Sequence, residues 1–348
     1  MNESSKPRIT LRQIASRLNI SHTTVSRALQ NDPRISEAVR RQVQDAAKEM
    51  GYEPDPMLAA LAHYRRENVA HPVSAALAWV NTWAQPQKLR SFREFNLYWK
   101  GAEEEARRSG YRLEEFDCPK ELSPARLYEV LRARGIRGIL LPPAWSGNTP
   151  DWGAFNWDDF CIVRFGFSLK NPISHLVTSD QLSNGLLAFD NMRKRGYSRI
   201  GMVMWEKQGT RLVRFSAGYL YAQLQVQASL RLPPLVLAET DPAADERHLV
   251  SWLKKTKPDA ILTDITTFPQ MLTKIGYKVP QDVGLAALSV LDGCASAGIY
   301  QNSDEIGAAG IQLLISLIHH NQRGIPEIPR EVLVPGKWVD GDSLPARE

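Results

Sequence analysis

The sequence predicts a small all-α head joined to a larger body of two α/β units. Three observations carry this. Apolar residues near the N-terminus recur at helical spacing, whereas beyond about residue 75 short apolar runs alternate with helical patterns. That alternation restarts near residue 199, as a second unit would. Charge is also uneven: residues 1–66 hold eleven Lys/Arg against seven Asp/Glu, and the whole chain 43 against 38, so most of the net +5 sits in the head. A basic head on a near-neutral body suits a nucleic-acid partner for the head alone. A length of 348 residues accommodates two or three compact units.

The head is organised by residues 9–29, ITLRQIASRLNISHTTVSRAL. Leu11, Ile14, Ala15 and Leu18 fall on one helical stripe. Thr10 caps that helix, and Gln13 three residues on completes a capping box. Asn19 tolerates the left-handed conformation that ends a helix, and Ser21 caps the next one. There Val25, Ala28 and Leu29 share a face, leaving His22, Thr23, Ser26 and Arg27 outward. A short helix with hydrogen-bonding groups and an Arg on its outer face is what a DNA major groove accepts. The same spacing also fits a helical hairpin inside a core.

A third helix is predicted from Ser36 as cap and Glu37 in the first turn, with the stripe Val39, Val43, Ala46, Ala47 and Met50, and Gly51 ending it. Taken together, T-V-S-R-A-L at 24–29, G-Y-x-P at 51–54 and the Leu61-Ala62 pair resemble the headpiece and hinge of the lactose-repressor (LacI/GalR) family. The resemblance implies a helix-turn-helix DNA-binding headpiece over 1–54, and a hinge helix and linker over 55–72. It implies that Thr10, Ser21, His22, Thr23, Ser26 and Arg27 meet DNA and that Leu61 wedges into the minor groove. Asp55 departs from the family's usual Asn before the hinge helix, although Asp55-Pro56 still makes a good helix start.

In the body, strands are predicted over 75–80, 111–116, 138–141 and 161–165, with helices over 92–109 (Leu97, Gly101 and Ala102 inward), 123–134 and 181–195. The second unit follows with strands 199–204, 234–237, 260–263 and 284–289 and helices 214–227, 246–255 and 269–275. Helix 303–319 (Ile306, Ala309, Gly310, Leu313 and Leu317 inward) and strand 331–335 end the pattern. Such order argues for parallel sheets covered on both faces.

Asp180 ahead of Asn184-Gly185, the Gly196-Tyr-x-x-Ile200 start of the second unit, Gly218-Tyr219 and Tyr300-Gln301 are similar to the two-lobed, periplasmic-binding-protein-like domain of the same family. That likeness implies an effector-binding and dimerisation domain over 73–348. Its N-lobe is expected at about 73–196 plus 302–325, and its C-lobe at about 197–301 plus 326–348.

Open parallel sheets bind ligands outside the carboxyl ends of their strands. Three Trp residues, Trp83, Trp145 and Trp205, follow strands there and offer flat faces to sugar rings, while Asp180, Arg214 and Asp264 are candidate partners for hydroxyls. Each Trp equally fits a plug at the lobe interface. The family often has Arg three residues before the Gly of the helix holding Gly218; here that position is Phe215, with Arg214 one place earlier.

The resulting expectation is a homodimeric, effector-controlled transcription regulator, a repressor, acting on a pseudo-palindromic double-stranded operator, with a small molecule, a sugar, as effector. Cys118, Cys161 and Cys294 are scattered and show no ligand spacing, so reduced structural thiols, no metal and no cofactor are expected. MNESSKPRIT lacks an apolar signal core and no apolar run suits a membrane span, which points to the cytoplasm and no membrane partner. GxSxG, HExxH and Walker sequences do not occur, so no enzyme is expected.

Overall fold

The computed structural model describes residues 9–29, 32–52, 75–118, 122–144, 151–153, 155–206 and 209–347. The predicted hinge helix and linker, with Leu61, and Trp145 lie outside them.

Three helices form the head: α1 (Leu11–Leu18), α2 (His22–Leu29) and α3 (Glu37–Glu49). The capping box forms as predicted, with Thr10 and Gln13 bonding each other's backbone N–H groups. Asn19 ends α1 in the left-handed conformation at φ 52°, and Ser21 Oγ accepts from Thr24 N at 3.0 Å to start α2. One correction concerns α3: Ser36 precedes it but makes no side-chain cap bond. Ile14 and Ala15, Val25 and Ala28, and Val43, Ala46 and Ala47 make one small core. The Arg17–Glu49 ion pair at 2.7 Å ties α1 to α3 on the surface.

The first sheet of the body runs β11-β5-β4-β3-β1-β2, built from β1 (Ala75–Asn81), β2 (Tyr111–Asp117), β3 (Gly138–Leu141), β4 (Cys161–Phe165), β5 (His175–Ser179) and β11 (Glu331–Val334). All its pairings are parallel. Helices α4 (Arg93–Arg108) and α10 (Ser303–His319) cover one face, on Trp79, Val163 and Phe165. On the other, α5 (Pro124–Ala133) packs with the aromatic cluster of Trp152, Phe155, Trp157 and Phe160. Two helices keep part of the predicted inner face, Gly101 and Ala102 in α4 and Ile306, Gly310 and Leu317 in α10, and differ in the rest. In α4 Tyr98 and Trp99 are buried and Leu97 only partly. In α10 Gly307, Ile311 and Leu314 are buried, whereas Ala309 and Leu313 lie at the margin.

The second sheet runs β12-β10-β9-β8-β6-β7, from β6 (Ile200–Trp205), β7 (Leu235–Leu237), β8 (Ala260–Thr263), β9 (Gly284–Ala287), β10 (Gly298–Tyr300) and β12 (Lys337–Val339). Only β12 is antiparallel to its neighbour. Helices α6 (Gln181–Lys194) and α7 (Gly209–Leu224) cover one face, and α8 (Pro242–Thr256) and α9 (Phe268–Lys274) the other.

The chain thus passes between sheets three times, after β5, β10 and β11, and this corrects two predicted lobe assignments. The helix expected in the N-lobe, α6, buries Ala188, Phe189 and Met192 in the second lobe's core. It lies against α7 so closely that a Cβ on Gly185 would stand 2.5 Å from the Phe215 carbonyl oxygen, and one on Gly218 2.3 Å from that of Leu182. Conversely, β11 was expected in the C-lobe and instead pairs with β5 in the first sheet. Three strands had no predicted counterpart: β5, β10 and β12 are short, and β5 is buried on both faces, so it shows no alternation.

Candidate DNA-reading face and interlobe junction

In the headpiece the sequence-predicted residues come together. Burial of Val25 and Ala28 at 0 % exposure fixes how α2 is rotated. That rotation leaves His22, Thr23 and Arg27 exposed and Ser26 at the margin, on one side of a two-turn helix. Thr10 and Ser21 stand exposed at the starts of α1 and α2, their side-chain oxygens already engaged in capping. Close by, the Arg34 guanidinium bonded to Asp32 holds that carboxyl well below the usual range, with Arg27 adding a smaller pull. The arrangement can present hydrogen-bond donors and acceptors to base edges while the capped helix starts face phosphate.

In the body the predicted effector residues are dispersed. Trp83 is buried at 4 % exposure. Its indole N–H donates to the Pro143 carbonyl at 2.7 Å, and its ring packs on Phe92 and Phe95. Trp205 lines a cavity of about 290 Å³ with Leu249, Met271 and Glu246, between α8 and α9. Asp180 caps α6, accepting from Ser183 N at 3.1 Å, while its own N–H donates to Val334 O at 2.7 Å. Asp264 follows β8 beside Cys294, whose thiol burial pushes up to about 12. Cys118 and Cys161 are likewise pushed up by burial to about 11, so all three thiols are poor nucleophiles at neutral pH.

Arg214 does not lie where the family pattern puts an Arg: that position, Phe215, is a core residue at 3 % exposure. Arg214 leaves α7 in the other direction and crosses to the first lobe. There it pairs with Glu331 of β11 at 3.0 Å and covers the Phe167 ring, with its guanidinium carbon 4.1 Å from the centroid.

The three crossovers are knitted to each other. Asn184 Oδ1 accepts from Gly336 N, and Asn302 Nδ2 donates to Pro335 O, each at 2.8 Å. Sequence reasoning missed Asp292, which reaches from the loop after β9 to the start of α4, its carboxylate accepting from Arg93 N at 2.8 Å and Glu94 N at 2.9 Å. The available signal was its place at the carboxyl end of a parallel strand, the same rule that singled out Asp264. Among the described residues no three His, Cys, Asp or Glu side chains converge as metal ligands, and no helix is long and apolar enough to cross a membrane.

Comparison with known proteins agrees with this geometry. Residues 10–55 match the model for bacterial regulatory proteins of the lacI family, and residues 189–344 that for a periplasmic-binding-protein-like domain. Among curated proteins, the transcriptional repressor PurR of Klebsiella pneumoniae is 22 % identical, over 95 % of this chain and 98 % of its own. Two solved structures share the fold, both covering 97 % of this chain and all of the other. The CelR regulator in complex with cellobiose superposes with a TM-score of 0.55 at 18 % identity. The lac repressor dimer bound to operator and an anti-inducer gives 0.52 at 14 %. With an N-terminal helix-turn-helix and a two-sheet α/β body in this order, the chain belongs to the LacI family of bacterial DNA-binding transcription regulators.

Proposed function

We propose that the protein is a cytoplasmic homodimeric repressor. Its two headpieces occupy half-sites of a pseudo-palindromic double-stranded operator, and a carbohydrate effector between the lobes sets their affinity. The observation that carries the DNA part is the outward face of His22, Thr23, Ser26 and Arg27 on a helix rotated into place by buried Val25 and Ala28. Two-fold symmetry of a dimer maps onto half-sites one helical turn apart or a multiple of it. The lac repressor neighbour is such a dimer on operator. Leu61 acts as the wedge that unstacks a step at the operator centre and kinks it.

The carbohydrate part rests on the sequence pattern of residues following strand ends: Asp180, Arg214 and Asp264, whose partners within the chain a sugar would have to replace, and Trp145 as a wall, while Trp205 lines the separate cavity between α8 and α9. The CelR neighbour holds cellobiose. Trp83 is set aside as a wall, since its ring is buried on Phe92 and Phe95 and its N–H is given to Pro143.

The test is selection of duplexes from a random pool by the full chain and by a chain lacking residues 1–72. Enrichment of one pseudo-palindrome by the full chain, lost on truncation, is expected; no enrichment overturns the reading. Leu61→Gly should weaken operator binding and abolish bending in a cyclisation assay. For the effector, operator affinity is titrated with mono- and disaccharides and, in parallel, nucleosides. If only nucleosides move it, the carbohydrate assignment fails while the regulator stands.

A further inference from the structure

We propose that the two lobes carry their own closure: Asp292 of the second lobe is a latch on the N-terminus of α4 in the first. The first N–H groups of an α-helix have no acceptor within the helix. At α4 the residue in the capping position is Phe92, which has no side-chain acceptor to offer. The missing acceptor comes from nearly two hundred residues away. One Asp292 oxygen takes the Arg93 N–H at 2.8 Å and the other the Glu94 N–H at 2.9 Å. Both bonds are charge-assisted, and the carboxylate sits at the positive end of the helix dipole, where it is favoured.

The loop that delivers Asp292 is closely fitted. A Cβ on the neighbouring Gly293 would stand 1.9 Å from the Ser289 carbonyl oxygen. Only glycine permits that fold-back, which sets where Asp292 points. A separate contact acts between other elements of the two lobes: Arg214 of α7 pairs with Glu331 at 3.0 Å and lies over Phe167. One contact holds the start of α4, which follows β1; the other holds β11 and the loop after β4. Between them they resist both separation and rotation of the lobes. The junction is therefore held by contacts written into the chain, and a molecule entering between the lobes acts on a junction already latched. A ligand whose own acceptor needs the α4 N-terminus must first displace Asp292.

Hydrogen exchange on the full-length protein tests this directly. The Arg93 and Glu94 amides, which an unlatched helix leaves open to water, should be protected in the parent protein. In Asp292→Ala they should exchange at least tenfold faster, while the amides of Trp99–Ala106 keep their rates. Asp292→Asn, which keeps the volume and one acceptor, should fall between and covers the case in which the Ala variant does not fold. Combining Arg214→Gln with Asp292→Asn should raise the rates further than Asp292→Asn alone. Unprotected amides in the parent, or unchanged rates in a folded Asp292 variant, would overturn the latch. Coupling of closure to DNA rests on the proposed function and is read separately, as operator affinity of the same variants. Faster exchange with unaltered affinity keeps the latch and overturns that coupling; altered affinity supports both.

Discussion

The headpiece and the body use their polar residues in opposite ways. In the headpiece, one helix does two jobs on two faces: Val25 and Ala28 are core, and His22, Thr23 and Arg27 are left outward. In the body, polar groups at strand ends are largely spent on the protein itself. Asp180 caps α6, Arg214 holds Glu331, and Asp292 holds the start of α4. A DNA-reading surface must be complete before DNA arrives, because the groove is read by preset geometry. A hinged body instead uses its polar groups to choose between arrangements of its lobes.

The largest effect expected from this contrast is on the body alone. Gly185→Val pushes a side chain into the Phe215 backbone where α6 meets α7, and backbone cannot move aside as a side-chain tip can. A loss of about 3 kcal/mol is expected for the body, the upper end of the usual range for overpacking. The headpiece core of Ile14, Val25 and Val43 shares no residue with that contact. Calorimetry should therefore show the body transition moving down and the headpiece transition staying. A joint shift would break the separation of the two regions.

The mirror experiment is Arg27→Ala, which should leave both folding transitions in place. Operator binding should weaken by about 1–3 kcal/mol, with preference relaxed at one base position, most simply a G. Binding measured across single-base operator variants checks this. Uniform weakening on every duplex would make Arg27 a phosphate contact instead.

The same contrast explains what was legible in the sequence. The head was readable almost to the residue, because its caps, breaks and apolar stripes are local signals: Thr10 with Gln13, Asn19, and Val25 with Ala28. The alternation of strands and helices in the body was legible too, and strands such as β3, β4 and β8 fall where predicted. Which lobe owns α6 or β11 was not, since ownership depends on packing partners distant in the chain: Tyr219 and Met202 for α6, β5 for β11. The body's candidate site suffered most. Residue type and position after a strand put Trp83 and Arg214 forward, but nothing local says that Pro143 takes the Trp83 N–H or that Glu331 takes Arg214. Asp292 escaped for the same reason, its partners being the backbone of α4.

A smaller effect should separate the regions by pH. His175 at the start of β5 is buried, and its Nδ1 accepts from Arg330 N at 3.0 Å just before β11. Burial, with the Arg330 charge adding to it, lowers its pKa below the usual imidazole value. The unfolded chain, titrating near about 6.5, therefore takes up the proton first as pH falls. Stability from neutral His175 is complete above that value and is lost on acidification through the lower folded value. Protonation also removes the lone pair that receives Arg330 N–H, loosening β11 and with it Glu331. The body transition should fall more steeply between neutral and mildly acidic pH than that of His175→Gln. Equal slopes would mean that His175 does not set the acid response.

The smallest effect is expected at Asp55, outside the described residues, where the family's usual Asn is replaced. Asn and Asp cap helices almost equally well, so capping alone predicts no difference. At the start of the expected hinge helix the dipole would favour the carboxylate by only about 0.3–1 kcal/mol, and salt screens it. In the proposed operator complex the same carboxylate would face phosphates, and binding that releases counterions depends on net charge at the interface. Asp55→Asn should therefore tighten operator binding at low salt and do so less as salt rises. Body transitions and the Arg93 and Glu94 exchange rates should stay where they are. The measurement is operator affinity for both proteins across a salt series. Equal or weaker binding by the Asn variant throughout would place Asp55 away from the backbone or beside a cation such as Arg65 or Arg66. In that case the headpiece, too, would spend a polar group on itself, and the contrast with the body would end at the hinge.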